Sequence, residues 1–339
     1  VRAGTVLVAR PDGMGDVLLS GPAVRAVARH ADRVVYLAGP RGAGAARMLP
    51  GVDRVITCTV PWIAADPPPV DPVRVRRLVR LLAGLGIDRA VLPTSFHQSP
   101  LPLALVLRMA GVPWNGAISE DYPGSLLDVR HRVEEGLPET ERMLSLVRAC
   151  GMEPAPGDDG LPAVRGPLPD TRGLTGPDGY TVVHTGSDAP ARAIPVSKAG
   201  EIVAALRARG GRVVLTGSAE EADRVPRAHG DPGVVVLAGR TRLPELAGVL
   251  SRAAAAVCGN TGPAHLAAAV RTPVVSLFSP VVPAAVWAPR GSRVRVLGDQ
   301  GARCAGSRAR VCPVPGHPCL SGVSPESVLA AVDEIREDR

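Results

Sequence analysis

Three stretches of the chain hold side chains able to handle a charged ligand. In the first, Arg10-Pro-Asp-Gly-Met-Gly-Asp16, a carboxylate stands at the start of an apolar segment, behind Gly13, Met14 and Gly15. Glycines without a Cβ let a ligand approach the backbone, which makes Asp16 a candidate site residue. The same position also suits a carboxylate that only complements a helix dipole, an effect of about 0.3–1 kcal/mol. In the second, Cys258–Val270 lies between the apolar runs Ala253–Val257 and Pro273–Phe278 and reads as strand, turn, helix, strand. A turn carrying Thr261 and Gly262 and opening a helix at Pro263 leaves backbone N–H groups and the positive end of a helix dipole facing outward, which suits a phosphate. An ordinary capped crossover helix would carry the same residues. The third stretch, Cys304-x7-Cys312-x4-His317-x-Cys319, has four soft side chains but no C-x2-C knuckle, and Pro313, Pro315 and Pro318 stiffen it. It reads as packed free thiols, with zinc or a disulfide as the alternatives.

Several common chemistries lack their residues. The first turn has Gly13 and Gly15 but Leu18 where a G-x-G-x-x-G dinucleotide fingerprint needs a glycine. There is no G-x-x-x-x-G-K-[ST] loop, H-E-x-x-H helix or G-x-S-x-G elbow. Aromatic residues make up 2% of the chain, so stacking platforms for single-stranded nucleic acid are scarce. The net charge of +7 is spread over scattered arginines without a basic block. That balance fits an enzyme for anionic small molecules better than a nucleic-acid binder. With no leader-like start and no apolar run near the ~20 residues of a spanning helix, the expectation is a soluble, cytoplasmic protein.

The elements around these stretches alternate. Apolar runs at Thr5–Ala9, Val34–Ala38, Arg54–Thr57 and Arg89–Pro93 are separated by helical patterns at Arg41–Leu49 and Val73–Ala83, with another at Leu101–Met109. Such alternation predicts a parallel sheet with helices on both faces. Pro22 must kink or restart the helix that begins at Val17. Helix Glu139–Cys150 carries Met143, Leu144 and Val147 on one face, and 13 of the 29 residues from Gly151 to Gly179 are Gly or Pro. The pattern restarts at Thr181–His184 and runs through a helix from Ala219 to the strand Pro273–Phe278 and a last amphipathic helix, Pro325–Arg336. The chain therefore divides into two Rossmann-like doubly wound domains, 1–160 and 180–323, joined by a linker at 161–179 and followed by 324–339.

On these residues the chain resembles glycosyltransferase family 9, the ADP-heptose:lipopolysaccharide heptosyltransferases. Arg10-Pro-Asp-Gly-Met-Gly-Asp-Val-Leu-Leu-Ser-Gly-Pro-Ala23 is similar to the family's amino-terminal signature. His184-Thr-Gly-Ser-Asp-Ala-Pro-Ala-Arg-Ala-Ile-Pro195 resembles its phosphate-contacting loop, and Cys258–Val270 with Thr272–Pro280 its donor motif. Cys312–Leu320 resembles the end of heptosyltransferase-like members. The resemblance implies a GT-B fold of α/β class with a cleft between the domains. Acceptor would be bound by the first lobe, nucleotide sugar by the second, and the last helix would cross back onto the first. It implies Asp16 as the base of an inverting displacement, Arg192 as the diphosphate contact, and Thr261, Gly262, Pro263 and Ala264 as the helix opening that holds the diphosphate. Glu220 or Glu221 becomes a candidate ribose ligand, with a solvated helix start as the alternative. His265 is either a donor contact or a buried structural residue. Asn260 stands where many members carry Asp, and Ile194 replaces a common Trp, so an amide replaces a carboxylate and an aromatic surface is lost near the donor.

The partners that follow are a nucleotide-sugar donor and a glycan or small-molecule acceptor, with no nucleic acid, no cofactor and no metal. A lipid-linked acceptor would bring this monomer close to a membrane. The alternatives are another nucleotide-sugar donor, a GT-B-like epimerase, or a non-catalytic nucleotide-sugar-binding protein.

Overall fold

Short Val-, Leu- and Ala-rich runs become strands because turns flank them and both faces are covered by helices, so nearly every side chain in them is buried. In the computed structural model, which describes residues 3–64, 67–95, 97–222, 225 and 230–337, these runs make two six-stranded sheets. The first holds β1 (Ala3–Arg10), β2 (Ala31–Ala38), β3 (Arg54–Thr57), β4 (Ile87–Leu92), β5 (Asn115–Ile118) and β6 (Val129–His131), in the order β3-β2-β1-β4-β5-β6. The second holds β7 (Thr181–His184), β8 (Val213–Thr216), β9 (Val234–Val236), β10 (Ala255–Gly259), β11 (Val274–Leu277) and β12 (Val294–Leu297), in the order β12-β11-β10-β7-β8-β9. All neighbouring strands are parallel. Each order reverses beside its first strand, between β1 and β4 and between β7 and β10. In open sheets of this kind ligands bind beyond the carboxyl ends of the strands at that reversal.

The chain divides into Val1–Arg165 and Gly166–Arg339, each with its own aliphatic core. The expected 161–179 linker is shared between them. Arg165 donates its N–H to the Met48 carbonyl at 2.8 Å and its guanidinium to those of Leu49 and Val52. Gly179 donates to the Arg252 carbonyl at 3.0 Å. Gly/Pro-rich composition marked irregular backbone correctly, but that backbone is packed on its neighbours.

Helix Pro325–Glu337 packs on helix Val196–Ala208 and on β10, β11 and β12. Val328, Leu329, Val332 and Ile335 enter the second unit's own core. Pro22 restarts the helix: Met14–Leu19 ends at Ser20, whose hydroxyl bonds the Val17 carbonyl and the Tyr36 hydroxyl, and Gly21–His30 begins anew. β5, β6 and β12 are short and are interrupted by Asn115, Arg130 or Arg295, and their strand character did not show in the sequence. The helix expected from Ala219 starts with turns at Ser218–Glu221 and at Ala219–Ala222, and much of its remainder lies outside the described residues.

Candidate active site

At the first reversal the carboxyl end of β1 delivers Arg10, a guanidinium with no exposed surface. A buried cation is tolerated only when paired and hydrogen-bonded, and three carboxylates meet this one. Nε lies 2.6 Å from Asp12 Oδ2, Nη1 2.8 Å from Glu139 Oε1 and Nη2 3.2 Å from Asp16 Oδ1. Arg10 also donates to the Pro93 carbonyl and to Ser95 Oγ, both beyond the end of β4. Burial alone would lower its pKa, but Asp12, Glu139 and Asp16 together raise it, so it is always charged. Burial pushes the Asp12 and Glu139 carboxyls up against the opposing pull of Arg10.

The three carboxylates differ in how far they are engaged. Glu139 is fully buried at the first turn of helix Glu139–Ala149, which packs on helix Gly21–His30. Asp12 is held by Arg10 and, at 2.6 Å, by Gln98 Nε2. Asp16 has one long contact to Arg10 and keeps 30% of its side chain exposed. Gly13, Met14 and Gly15 precede it half-buried, Gly13 as the N-cap of helix Met14–Leu19, with the Asp16 carboxylate 3.6 Å from where a Gly13 Cβ would stand.

At the second reversal β7 ends at His184 and β10 at Gly259, paired neighbours along most of their length. The chain after β7 folds back so that the Ile194 N–H reaches the Thr185 carbonyl at 3.1 Å. A Cβ on Gly259 would come within 2.5 Å of the Arg192 carbonyl, so only glycine admits this approach. The turn Pro190–Arg192 is thereby laid beside Asn260 and Thr261. Helix Gly262–Ala269 follows with Thr261 as an extended N-cap whose side chain makes no capping bond; Pro263 has no N–H, and the Ala264 N–H bonds the Thr261 carbonyl at 3.1 Å. Pro263, Ala264 and His265 are buried in its first turns. Three buried polar atoms here have no partner within the described residues: Thr185 Oγ1, Asn260 Nδ2 and His265 Nδ1. Burial pushes the His184 and His265 imidazoles down to about 4, so both are neutral at neutral pH; His184 Nδ1 pairs with Thr216 Oγ1 at 2.9 Å.

The sequence-predicted residues thus form two groups, one in each unit. Glu221 belongs with the second: a Cβ on Gly186 would strike its carboxylate, which also accepts the Ser218 N–H at 2.9 Å. Glu220 is exposed, and its carboxyl, held low by local hydrogen bonds, fits the solvated alternative. Ile194 is 2% exposed within the second core, so the missing Trp is a matter of core packing and does not open a surface. Sequence reasoning assigned no role to Arg10, Asp12 or Glu139. The available signal was a charged residue closing an apolar strand, and a Glu four positions before Met143 on the buried helix face.

All six cysteines are free, and among the described residues no group of three or more His, Cys, Asp or Glu could hold a metal ion. No helix among them is long and apolar enough to cross a membrane. A cavity of about 760 Å³ lies among Ser251, Ala254, Arg271, Thr272 and Arg293, at the amino ends of β10, β11 and β12, the opposite end of that sheet from Asn260 and Thr261.

The model of the family described as glycosyltransferase family 9 (heptosyltransferase) matches residues 76–317, a span that includes Arg192 and the whole of Cys258–Val270. The chain belongs to glycosyltransferase family 9. Lipopolysaccharide heptosyltransferase 3 of Escherichia coli strain K12 is 40% identical to this glycosyltransferase over 86 residues, 24% of this chain and 25% of that protein. The match therefore spans about a quarter of the curated relative's length. Over the whole chain, the structure of the E. coli ADP-heptose LPS heptosyltransferase II is similar with a TM-score of 0.77 at 21% identity, covering 98% of each chain. A family 9 glycosyl transferase from Veillonella parvula DSM 2008 gives 0.80 at 14% identity, covering 100% of this chain and 99% of the other. These likenesses show the GT-B fold of the family 9 enzyme.

Proposed function

We propose that this glycosyltransferase transfers heptose from an ADP-heptose-like donor to a hydroxyl of a cell-envelope glycan or small-molecule acceptor, with inversion. The observation that carries the reading is the set of unpartnered buried atoms, Thr185 Oγ1, Asn260 Nδ2 and His265 Nδ1, beside a helix start with no side-chain cap. Buried polar atoms are rarely left unpaired, and a nucleotide sugar offers the hydroxyls and phosphate oxygens that would pair them. The heptose donor is supported by the similarity to the E. coli ADP-heptose enzyme.

Asp16 is the base because it is the least engaged of the carboxylates around Arg10. It accepts the acceptor hydroxyl proton as that oxygen bonds to the anomeric carbon and the bond to the diphosphate breaks on the opposite face. The departing nucleoside diphosphate gains negative charge, which Arg192 and the Gly262 helix start stabilise, so the reaction needs no metal. Glu221 holds a ribose hydroxyl. The enzyme works as a cytoplasmic monomer and meets a membrane only through a lipid-linked acceptor.

A thermal-shift panel of ADP, UDP and GDP and their sugars tests the donor, because a ligand of the native state raises the melting temperature with its free concentration over Kd. ADP and ADP-heptose should stabilise most. Stabilisation by UDP or GDP alone overturns the adenine donor, and turnover that vanishes with EDTA and returns with Mg²⁺ overturns the metal-free scheme.

A further inference from the structure

The late Cys/His stretch has a role that neither metal binding nor disulfide formation supplies. It folds over the turn Pro190–Arg192. Ala191 has no exposed surface and packs against Val281 and Cys304. Its N–H donates to the Arg310 carbonyl at 2.9 Å, and its carbonyl accepts from His317 Nε2 at 3.0 Å. Both polar groups of this residue are therefore satisfied by the distant segment, the imidazole reaching across 126 positions of sequence. Burial lowers the His317 pKa against the opposing effect of the Ala191 carbonyl, and either protonation state can present Nε2–H to that oxygen. On the other side, the Arg192 carbonyl lies where a Gly259 Cβ would be 2.5 Å away. The turn is thus held between β10 and the late segment.

The backbone at His317 has φ 51° and ψ 52°, the left-handed conformation, which a side-chain-bearing residue keeps only where its surroundings impose it. The Leu320 and Ser321 N–H groups donate back to its carbonyl at 3.1 and 3.0 Å and fix that conformation.

We propose that His317 is a positioning residue for the donor turn: by holding the Ala191 carbonyl it sets where Arg192 presents its guanidinium, and so sets the affinity for the diphosphate of the donor. The proposal rests on the reading of Arg192 as a diphosphate ligand.

The substitution His317→Gly removes the imidazole and also relieves the left-handed backbone, so the variant should melt within about 3 °C of the parent. By calorimetry its Kd for ADP should rise about tenfold, while its Kd for adenosine, which has no phosphate, stays within about twofold. His317→Gln keeps a donor of similar reach and should recover part of the loss. In an Arg192→Ala background His317→Gly should change the ADP affinity by less than about twofold, because no guanidinium is left to position. Unchanged ADP affinity in His317→Gly overturns the proposal. So does an equal loss of adenosine binding, or a tenfold loss that persists without Arg192. If the parent protein binds no nucleoside diphosphate, the reading of the donor site itself fails. If the parent binds UDP or GDP in place of ADP, the same variants are read with that nucleotide.

Discussion

The two sheets have the same strand order and put their special residues at the same place, yet the two reversal points are built with opposite electrostatics. At β1 and β4 a buried guanidinium gathers Asp12, Asp16 and Glu139, an arrangement of full charges with an excess of negative ones. At β7 and β10 the buried groups are neutral: Asn260, Thr185 and two imidazoles held uncharged by burial, next to a helix amino end. A carboxylate beside a cation can take a proton from a neutral hydroxyl. A site whose buried groups are neutral, with the Arg192 turn beside it, can receive an anion. Under the proposed function, one frame used twice would supply a base and an anion site, with the side chains at the strand ends deciding which.

The comparison breaks first at Asp16. Asp16→Asn keeps the shape and the contact to Arg10 but removes the proton acceptor, so turnover should fall by about 10²–10⁴, some 3–5 kcal/mol of barrier. ADP affinity, a property of the other unit, should stay nearly unchanged; full turnover in the variant would remove Asp16 from the chemistry. Glu139→Ala tests the buried charge itself. Removing one partner of a fully buried pair should cost about 3–5 kcal/mol in urea unfolding. Asp333→Ala, which breaks the half-exposed pair to Arg209, should cost under about 1 kcal/mol. Equal costs for the two variants would mean that the Arg10 cluster is no more than a surface-like ion pair.

Acid should separate the two units. His184 and His265 titrate near 4 when folded and near 6.5 when unfolded, so between those values the unfolded chain binds more protons. The second unit should therefore lose stability as pH falls through that window, up to about 3 kcal/mol for each histidine. Asp12 and Glu139 have the opposite sign. Their folded pKa values are raised, so acid favours the folded first unit as far as these two groups are concerned. Calorimetry from pH 7 to 4, with hydrogen exchange to assign the transitions, should find the second unit melting first; a first unit that melts earlier would reverse the electrostatic assignment.

How much of this was legible in the sequence depended on range. The doubly wound halves, a kink or restart at Pro22 and the crossover helix after β10 follow from local periodicity and breakers; the structure has the halves and the helix, and at Pro22 it takes the restart. Cys258–Val270 could be placed at a sheet's carboxyl edge because strand, turn and helix are adjacent in the chain. The Arg10 cluster could be read that way only in part: Asp12 and Asp16 are its chain neighbours, but Ser95 after β4 and Glu139 on a later helix meet it only through the fold. The last helix shows the same limit of range. Its apolar stripe said that it was buried, but a stripe does not name the surface that buries it.

A smaller effect than at Asp16 or Glu139 is expected at Asn260, where the family resemblance leads one to expect a carboxylate and the chain has an amide. Its Nδ2 is buried with no partner among the described residues, so it has a donor to offer. Asn260→Asp replaces that donor with an acceptor and brings a negative charge to the anion side of the molecule. A donor whose sugar or phosphate oxygen accepts from Nδ2 should then lose about tenfold in affinity, the order expected for a buried hydrogen bond turned into an unpaired group. A donor that presents a hydroxyl there should lose little, because a carboxylate accepts from it. Parallel titrations of ADP and ADP-heptose separate these cases. Loss confined to ADP-heptose places Asn260 on the sugar, equal loss for both places it on the nucleotide, and equal gain would show that this crevice accommodates the extra negative charge and so undo the contrast drawn between the two reversal points.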